Sequence, residues 1–250
     1  MSIATDLQTI AENTPKVYEA GKKAAYDAFW DSVQNNGNPA IYNSAFVGVT
    51  WNKDRFKPKY KIVPNTTTNS ARAMFSCFDY TNYVQELMFN LTYDMVDLSN
   101  CTQQSQVANM FENAHMNSIE IDLSTIPRLQ NIFNCNSGGM IYHIRTKINA
   151  EFFSTVFNYN NWLETLILEE GSVIGGNGFN VQWSTKLSKE SIESIIAALS
   201  DSTTGLSITL SKTAVNNAFG INVDDPTTYP EGSEYYTLRN SRSNWTFNYA

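Results

Sequence analysis

The chain has 250 residues, of which 42% are hydrophobic and only 16% are charged, and its formal net charge is −7. An acidic chain without a basic stripe does not suit the phosphate backbone of nucleic acids, so we exclude nucleic-acid binding. No apolar run approaches the ~20 residues of a membrane span, which excludes membrane insertion.

Residues 1–38 are predicted to be a helical segment. Apolar residues recur there at steps of three and four, as in Ile3, Leu7 and Ile10, and Thr14-Pro15 is typical of a helix start. We expect this segment to dock on a partner or to form a homo-oligomer. The alternative is that it packs on the rest of its own chain.

Residues 39–69 are predicted to be a connector and an N-terminal cap. The stretch is aromatic and strand-like and ends near Pro64. A repeat array needs such a cap, because its first unit would otherwise expose core residues and an unpaired strand edge.

A repeat is visible over residues 70–187. Each unit contains an apolar residue followed by phenylalanine, and from Phe89 the phenylalanines recur after 22, 22 and 24 residues; the pairs are Met74-Phe75, Met88-Phe89, Met110-Phe111, Ile132-Phe133 and Val156-Phe157. This period lies within the range of leucine-rich repeats. The alternative is a chance spacing of common residue pairs.

Short alternating segments follow these pairs and are predicted to be strands: 95–98, 119–123, 140–144 and 163–168. The unit is thus a short helix or turn anchored by phenylalanine and then a strand. The predicted fold class is an α/β repeat, a short irregular leucine-rich-repeat solenoid after an N-terminal helical segment. The step from Phe75 to Phe89 is only 14 residues, so the repeat count near residues 70–95 stays open.

Residues 188–250 are predicted to form helix–strand units that cap the C-terminal end. Ser188 is a candidate N-cap of a helix that carries Ile192, and Ser211 is a second candidate. Strands are predicted over 206–210 and 245–247.

Two stretches carry a family resemblance. They are residues 16–30 (KVYEAGKKAAYDAFW) with 34–38 (QNNGN), and residues 191–196 (SIESII) with 198–201 (ALSD) and 209–216 (TLSKTAVN). Together with the phenylalanine repeats, they resemble the leucine-rich-repeat proteins encoded beside tail genes of phages and prophages of gut Gram-positive bacteria, and the repeat is similar to the surface-adhesion type.

The resemblance implies a non-enzymatic phage structural or accessory protein of the virion, associated with the tail or a fibre. Its expected partners are other phage structural proteins, or a protein or glycan of the host surface. The alternative is an adhesin-like interaction module of the bacterial cell surface that is not built into a virion.

No catalytic constellation is visible, and we predict no catalytic, cofactor-binding or metal-binding residues. The two histidines, His115 and His143, lack metal-site spacing, and no calcium loop follows the recurring Asp94, Asp97 and Asp122. The glycine-rich run 171–178 lacks the lysine of a phosphate-binding loop. The cysteines Cys77, Cys101 and Cys135 are expected to be free, small and buried.

Binding therefore remains as the expected function. The aromatic residues Tyr142, Tyr159, Trp162 and Trp183 could stack on glycans or contact a protein, or could instead belong to the core. The sequence does not identify which face of the solenoid binds.

Overall fold

The computed structural model describes residues 43–48, 61–79 and 83–250, with five single positions before them: Asn13, Lys16, Ala20, Gly21 and Ala24. Apart from these positions, the predicted helical segment 1–38 lies outside the described residues. The predicted connector 39–69 is described only over 43–48 and 61–69.

The described chain is a β-solenoid of about 3 turns with few helices. Its main sheet has the strand order β1, β2, β4, β6, with β7 also beside β4, and all pairings are parallel. Two further parallel pairs are β3 with β5 and β8 with β9. The strands are β1 (Phe89–Leu91), β2 (His115–Leu123), β3 (Arg128–Gln130), β4 (Met140–Ala150), β5 (Phe152–Ser154), β6 (Thr165–Leu168), β7 (Val173–Ile174), β8 (Leu206–Leu210) and β9 (Trp245–Tyr249).

Alternating burial along the strands explains why successive coils stack on one another. From Ile119 in β2 and from Tyr142 in β4, every second residue is buried, and all of these except Thr146 are apolar, as a sheet with one face in the core requires. The register places Ile119 beside Ile144, and Ile144 beside Leu166, so like residues form columns through the core. The strands predicted at 119–123, 140–144 and 163–168 are confirmed, whereas in segment 95–98 only Val96 pairs, in a bridge with Ile62.

A phenylalanine ladder forms a second column, made of Phe46, Phe75, Phe111, Phe133, Phe157 and Phe179. Successive ring centroids are 5.1 to 5.6 Å apart. Phe89 was wrongly assigned to this series. It lies in β1 opposite Met116, and Phe75 is the residue that stacks on Phe111.

The ladder segments are turns and not helices. Two positions before five of these phenylalanines stands a residue with positive φ: Ser44, Ala73, Asn109, Asn131 and Thr155. A left-handed residue interrupts any helix. The backbone instead bonds to the next coil, as in Phe111 N–H to Ile132 O (2.9 Å) and Phe133 N–H to Val156 O (3.0 Å).

Within residues 61–79 and 83–250, three of the four α-helices lie at the C-terminal end. The helices of this part are α1 (Gln104–Val107), α2 (Lys189–Ala197), α3 (Lys212–Phe219) and α4 (Glu234–Asn240), and 3-10 turns lie at Gln85–Leu87 and Pro226–Thr228. The predicted N-caps are confirmed, because the Ser188 and Ser211 side chains accept hydrogen bonds from the N–H groups of Ser191 and Ala214. The strands predicted at 206–210 and 245–247 are also present, as β8 and within β9.

The cysteines are free, as predicted, but they are not all buried. Cys101 and Cys135 lie in the core, and burial raises the pKa of both thiols. Cys77 is half-exposed, in a left-handed turn position of the first ladder segments. Among the described helices, none has the length and apolar character needed to cross a membrane.

Candidate binding face

One face of the main sheet carries a row of uncharged polar side chains. The register aligns Asn90, Ser118, His143 and Thr165 on four adjacent strands, at positions that alternate with core residues. The register also skips Asn117, which brings a second polar side chain to the same place. We call these residues the polar row: Gln85, Asn90, Asn117, Ser118, His143 and Thr165.

Hydrogen bonds hold the polar row in place. Asn117 Nδ2 donates to Asn90 Oδ1 at 2.7 Å, and Gln85 Nε2 donates to Asn117 Oδ1 at 3.1 Å. His143 Nδ1 and Thr165 Oγ1 are 3.0 Å apart, and His143 Nε2 is 3.4 Å from Gln85 Nε2. The row is therefore a preordered set of donors and acceptors that crosses the strands.

A charged zone lies further along the same strands. Glu120 pairs in register with Arg145, and the Arg145 guanidinium is 3.8 Å from Glu169 Oε1. The Tyr93 hydroxyl donates to the carbonyl oxygen of Arg145 at 3.3 Å. Burial, followed by the negative charge of Glu169, raises the pKa of Tyr93. Acids outnumber bases in this zone.

Aromatic side chains border the polar row near the first residues of β4 and β6. The Tyr142 and Trp162 rings are 5.8 Å apart, and the Lys186 ammonium lies 4.4 Å from the Trp162 ring. Tyr159 stacks on Trp183 with a centroid distance of 4.8 Å and an interplanar angle of 27°. We call Tyr142, Tyr159, Trp162 and Trp183 the aromatic strip.

The aromatic strip combines all four residues suggested by the sequence, with one correction. Tyr159, Trp162 and Trp183 are exposed at 46%, 38% and 37%, whereas Tyr142 is buried at 7%. Tyr142 lies under the Trp162 side chain and supports it. Burial raises the pKa of the Tyr142 hydroxyl, and the nearby Glu164 and Glu86 raise it further.

Sequence reasoning missed the polar row and Lys186. The sequence indicates these polar positions in part, because polar residues alternate with buried ones in β2 and β4. It does not show which residues lie beside them, because those residues belong to other coils. Lys186 reaches Trp162 because Tyr159–Trp162 and Trp183–Lys186 are equivalent turns 24 residues apart. The sequence of one turn does not show which residue of the next turn it will contact.

The two histidines differ in environment, and Asp97 and Asp122 each accept a local hydrogen bond. His115 is fully buried, with Nε2 3.1 Å from the carbonyl oxygen of Gly138, while His143 lies on the surface of the row. Asp97 and Asp122 each accept a backbone N–H two residues ahead, from Ser99 and Ser124. The Ser99 hydrogen bonds lower the pKa of Asp97.

In the part of the chain that the structure describes, no group of three or more His, Cys, Asp or Glu side chains is arranged so that it could hold a metal ion. The arrangement of the row and the strip can form hydrogen bonds and stack against rings, which is the chemistry of reversible binding.

Comparison with known proteins gives no family assignment. No protein-family model matches the chain, and neither a curated protein nor a solved structure shows significant similarity to it.

Proposed function

We propose that this chain is a non-enzymatic phage structural or accessory protein, associated with the tail or a fibre, that binds a protein or glycan of the host surface. In this proposal the polar row and the aromatic strip form the binding face. The solenoid is of the leucine-rich-repeat type, and other phage structural proteins hold it in the virion.

One observation carries the proposal: the polar row adjoins the aromatic strip at Tyr142 and Trp162. The Tyr142 ring lies 6.5 Å from the His143 ring of the row and 5.8 Å from the exposed Trp162 ring. Binding faces of proteins combine aromatic anchors with polar groups that fix orientation. Preordering by hydrogen bonds and ring stacking reduces the entropy lost on binding.

The repeat geometry supports the leucine-rich-repeat assignment. The coils from Phe111 to Phe157 keep steps of 22 and 24 residues, and each coil passes from a ladder turn to a strand of the main sheet. Such an array exposes a long surface on each side, which suits recognition of extended partners. The virion setting is supported by the resemblance to phage-encoded repeat proteins, which residues 16–30, 34–38, 191–196, 198–201 and 209–216 carry.

The test is adsorption of the fluorescently labelled full-length chain to a panel of gut Gram-positive bacteria. We expect saturable adsorption to at least one strain. The double variant Trp162→Ala/His143→Ala, which changes one residue of the strip and one of the row, should bind about tenfold more weakly or worse. Circular dichroism and thermal unfolding of each variant would verify that the fold is retained.

Phe152→Ala provides the matched control. Phe152 is also a partly exposed aromatic residue with a cation beside its ring, the Arg128 guanidinium at 4.2 Å, but it lies in β5, beyond the opposite end of β4. Its adsorption should equal that of the unsubstituted chain. Equal losses in both variants, or no adsorption to any strain, would refute the proposed function.

A further inference from the structure

We infer that the ligand of this face is an uncharged glycan, with sugar rings stacked on the exposed rings of the aromatic strip and hydroxyl groups bonded to the polar row. This inference rests on the proposed function and specifies its ligand class.

The Tyr159–Trp183 pair presents aromatic rings in a fixed orientation. Each ring uses one face to stack on the other, and both remain more than one-third exposed. Sugar rings carry C–H bonds on one face, and these fit against the electron-rich face of an aromatic ring. Trp162 is oriented as well, because it lies between Tyr142 and the Lys186 ammonium.

The composition of the polar row favours hydroxyl groups as partners. Its members are amides, hydroxyls and one imidazole, so donors and acceptors alternate within hydrogen-bonding distance. A sugar hydroxyl both donates and accepts, and can therefore satisfy either kind of group.

Charge on the face disfavours anionic glycans. Five acids lie on or beside it, and three bases accompany them, Arg145, Lys147 and Lys186; the acids are Glu86, Glu120, Asp122, Glu164 and Glu169. An anionic polysaccharide would be repelled by this excess of negative charge, whereas a neutral one loses no charge solvation when it binds.

The experiment repeats the adsorption assay on cells of a binding strain treated with periodate, which cleaves vicinal diols of sugars, or with proteinase. We expect periodate to reduce adsorption about tenfold or more. Loss after proteinase as well would place the glycan on a surface protein. Adsorption that resists periodate overturns the inference while leaving the proposed function intact, whereas failure to adsorb to any strain removes the proposed function itself.

Two variants test the stacking directly. Trp183→Ala should weaken adsorption about tenfold, and Trp183→Phe, which keeps a ring, should restore it to within about threefold of the original chain. If the two substitutions weaken adsorption equally, the proposed ring stacking is wrong. Raising the salt from about 0.15 M to about 0.5 M should leave adsorption unchanged, and strong salt sensitivity would overturn the uncharged class of ligand.

Discussion

At the scale of single residues, Gly176 has the least room for a side chain among the described glycines. A Cβ added at this position would lie 1.7 Å from the carbonyl oxygen of Glu151, which is backbone and cannot turn away. A Cβ at Gly178 would lie 2.2 Å from the carbonyl oxygen of Phe153. Gly176 and Gly178 are therefore needed for packing, because adjacent coils pass these two positions without room for a Cβ.

Gly176→Ala is accordingly expected to lower the free energy of unfolding by about 2 kcal/mol or more, since an overpacked site must displace backbone. Gly175→Ala is the matched control. Its Cβ would meet the nearest atom, Ala150 O, at an ordinary 3.5 Å, so its effect should stay within about 0.5 kcal/mol. Denaturant unfolding of both variants measures the difference. Similar stability of the two would contradict the close-approach explanation.

The sequence shows the glycine-rich run 171–178 but does not give the reason for its glycines. The atoms that exclude a Cβ belong to residues 151 and 153, one coil earlier. By contrast, the Ser188 and Ser211 caps were predictable, because a helix cap joins residues within one turn.

At the scale of elements, the phenylalanine ladder connects the coils. Phe133 lies at 1% exposure between Phe111 and Phe157, with ring centroids at 5.5 and 5.6 Å. Each coil alone is too small to bury its apolar face, so contacts between coils supply the stability. A ring in the middle of the ladder supports the coils on both sides.

Phe133→Ala is expected to cost about 3–5 kcal/mol, because it removes a buried ring and leaves a cavity. Phe133→Leu, which keeps most of the volume, should cost clearly less. Phe152→Ala, at a partly exposed ring outside the ladder, should cost under about 1 kcal/mol. Urea unfolding gives the three values, and a loss for Phe133→Ala no larger than that for Phe152→Ala would show that the ladder is not a major stabilising element.

Element prediction succeeded where the pattern was local. The alternation in β2, β4, β6 and β8 was sufficient to place those strands. The prediction for Phe89 was wrong, because Phe75 and Phe89 have similar sequence neighbours and either could occupy the same position of the ladder. Packing between coils places Phe75 there. The sequence also allowed a helix before each strand, where left-handed residues such as Asn109 and Asn131 produce turns.

At the scale of the whole molecule, the candidate face arises from stacking and could be predicted only in part. Single residues of the aromatic strip are visible in the sequence, because tryptophan and tyrosine near predicted strand starts are few. The pairing of these aromatic rings and their position beside the polar row depend on the register between coils. No local sequence pattern predicts that register. The exposure of three strip residues and the burial of Tyr142 follow from the same register.

The pH dependence of stability is also a property of the whole molecule. The pKa values of four described tyrosines are raised, in each case chiefly by burial: Tyr93, Tyr142, Tyr235 and Tyr249. A raised pKa means that the folded chain holds the phenol proton more tightly than the unfolded chain, whose tyrosines titrate near 10. The resulting stability is complete below about pH 10 and is lost as the pH rises through the folded-state values.

The raised pKa values of the Cys101 and Cys135 thiols act in the same way from the unfolded cysteine value of about 8.5. Stability should therefore be flat up to about pH 8, should decline above it and should fall more steeply above about pH 10. Tyr235, whose hydroxyl is 2.6 Å from that of Tyr249, joins α4 to β9 at the C-terminal end. Tyr235→Phe should lose about 1 kcal/mol at neutral pH, because one hydrogen bond disappears. Its decline above pH 10 should nevertheless be shallower, since one shifted group no longer titrates. Urea midpoints measured across this range test the assignment, and parallel curves for the two proteins would refute it.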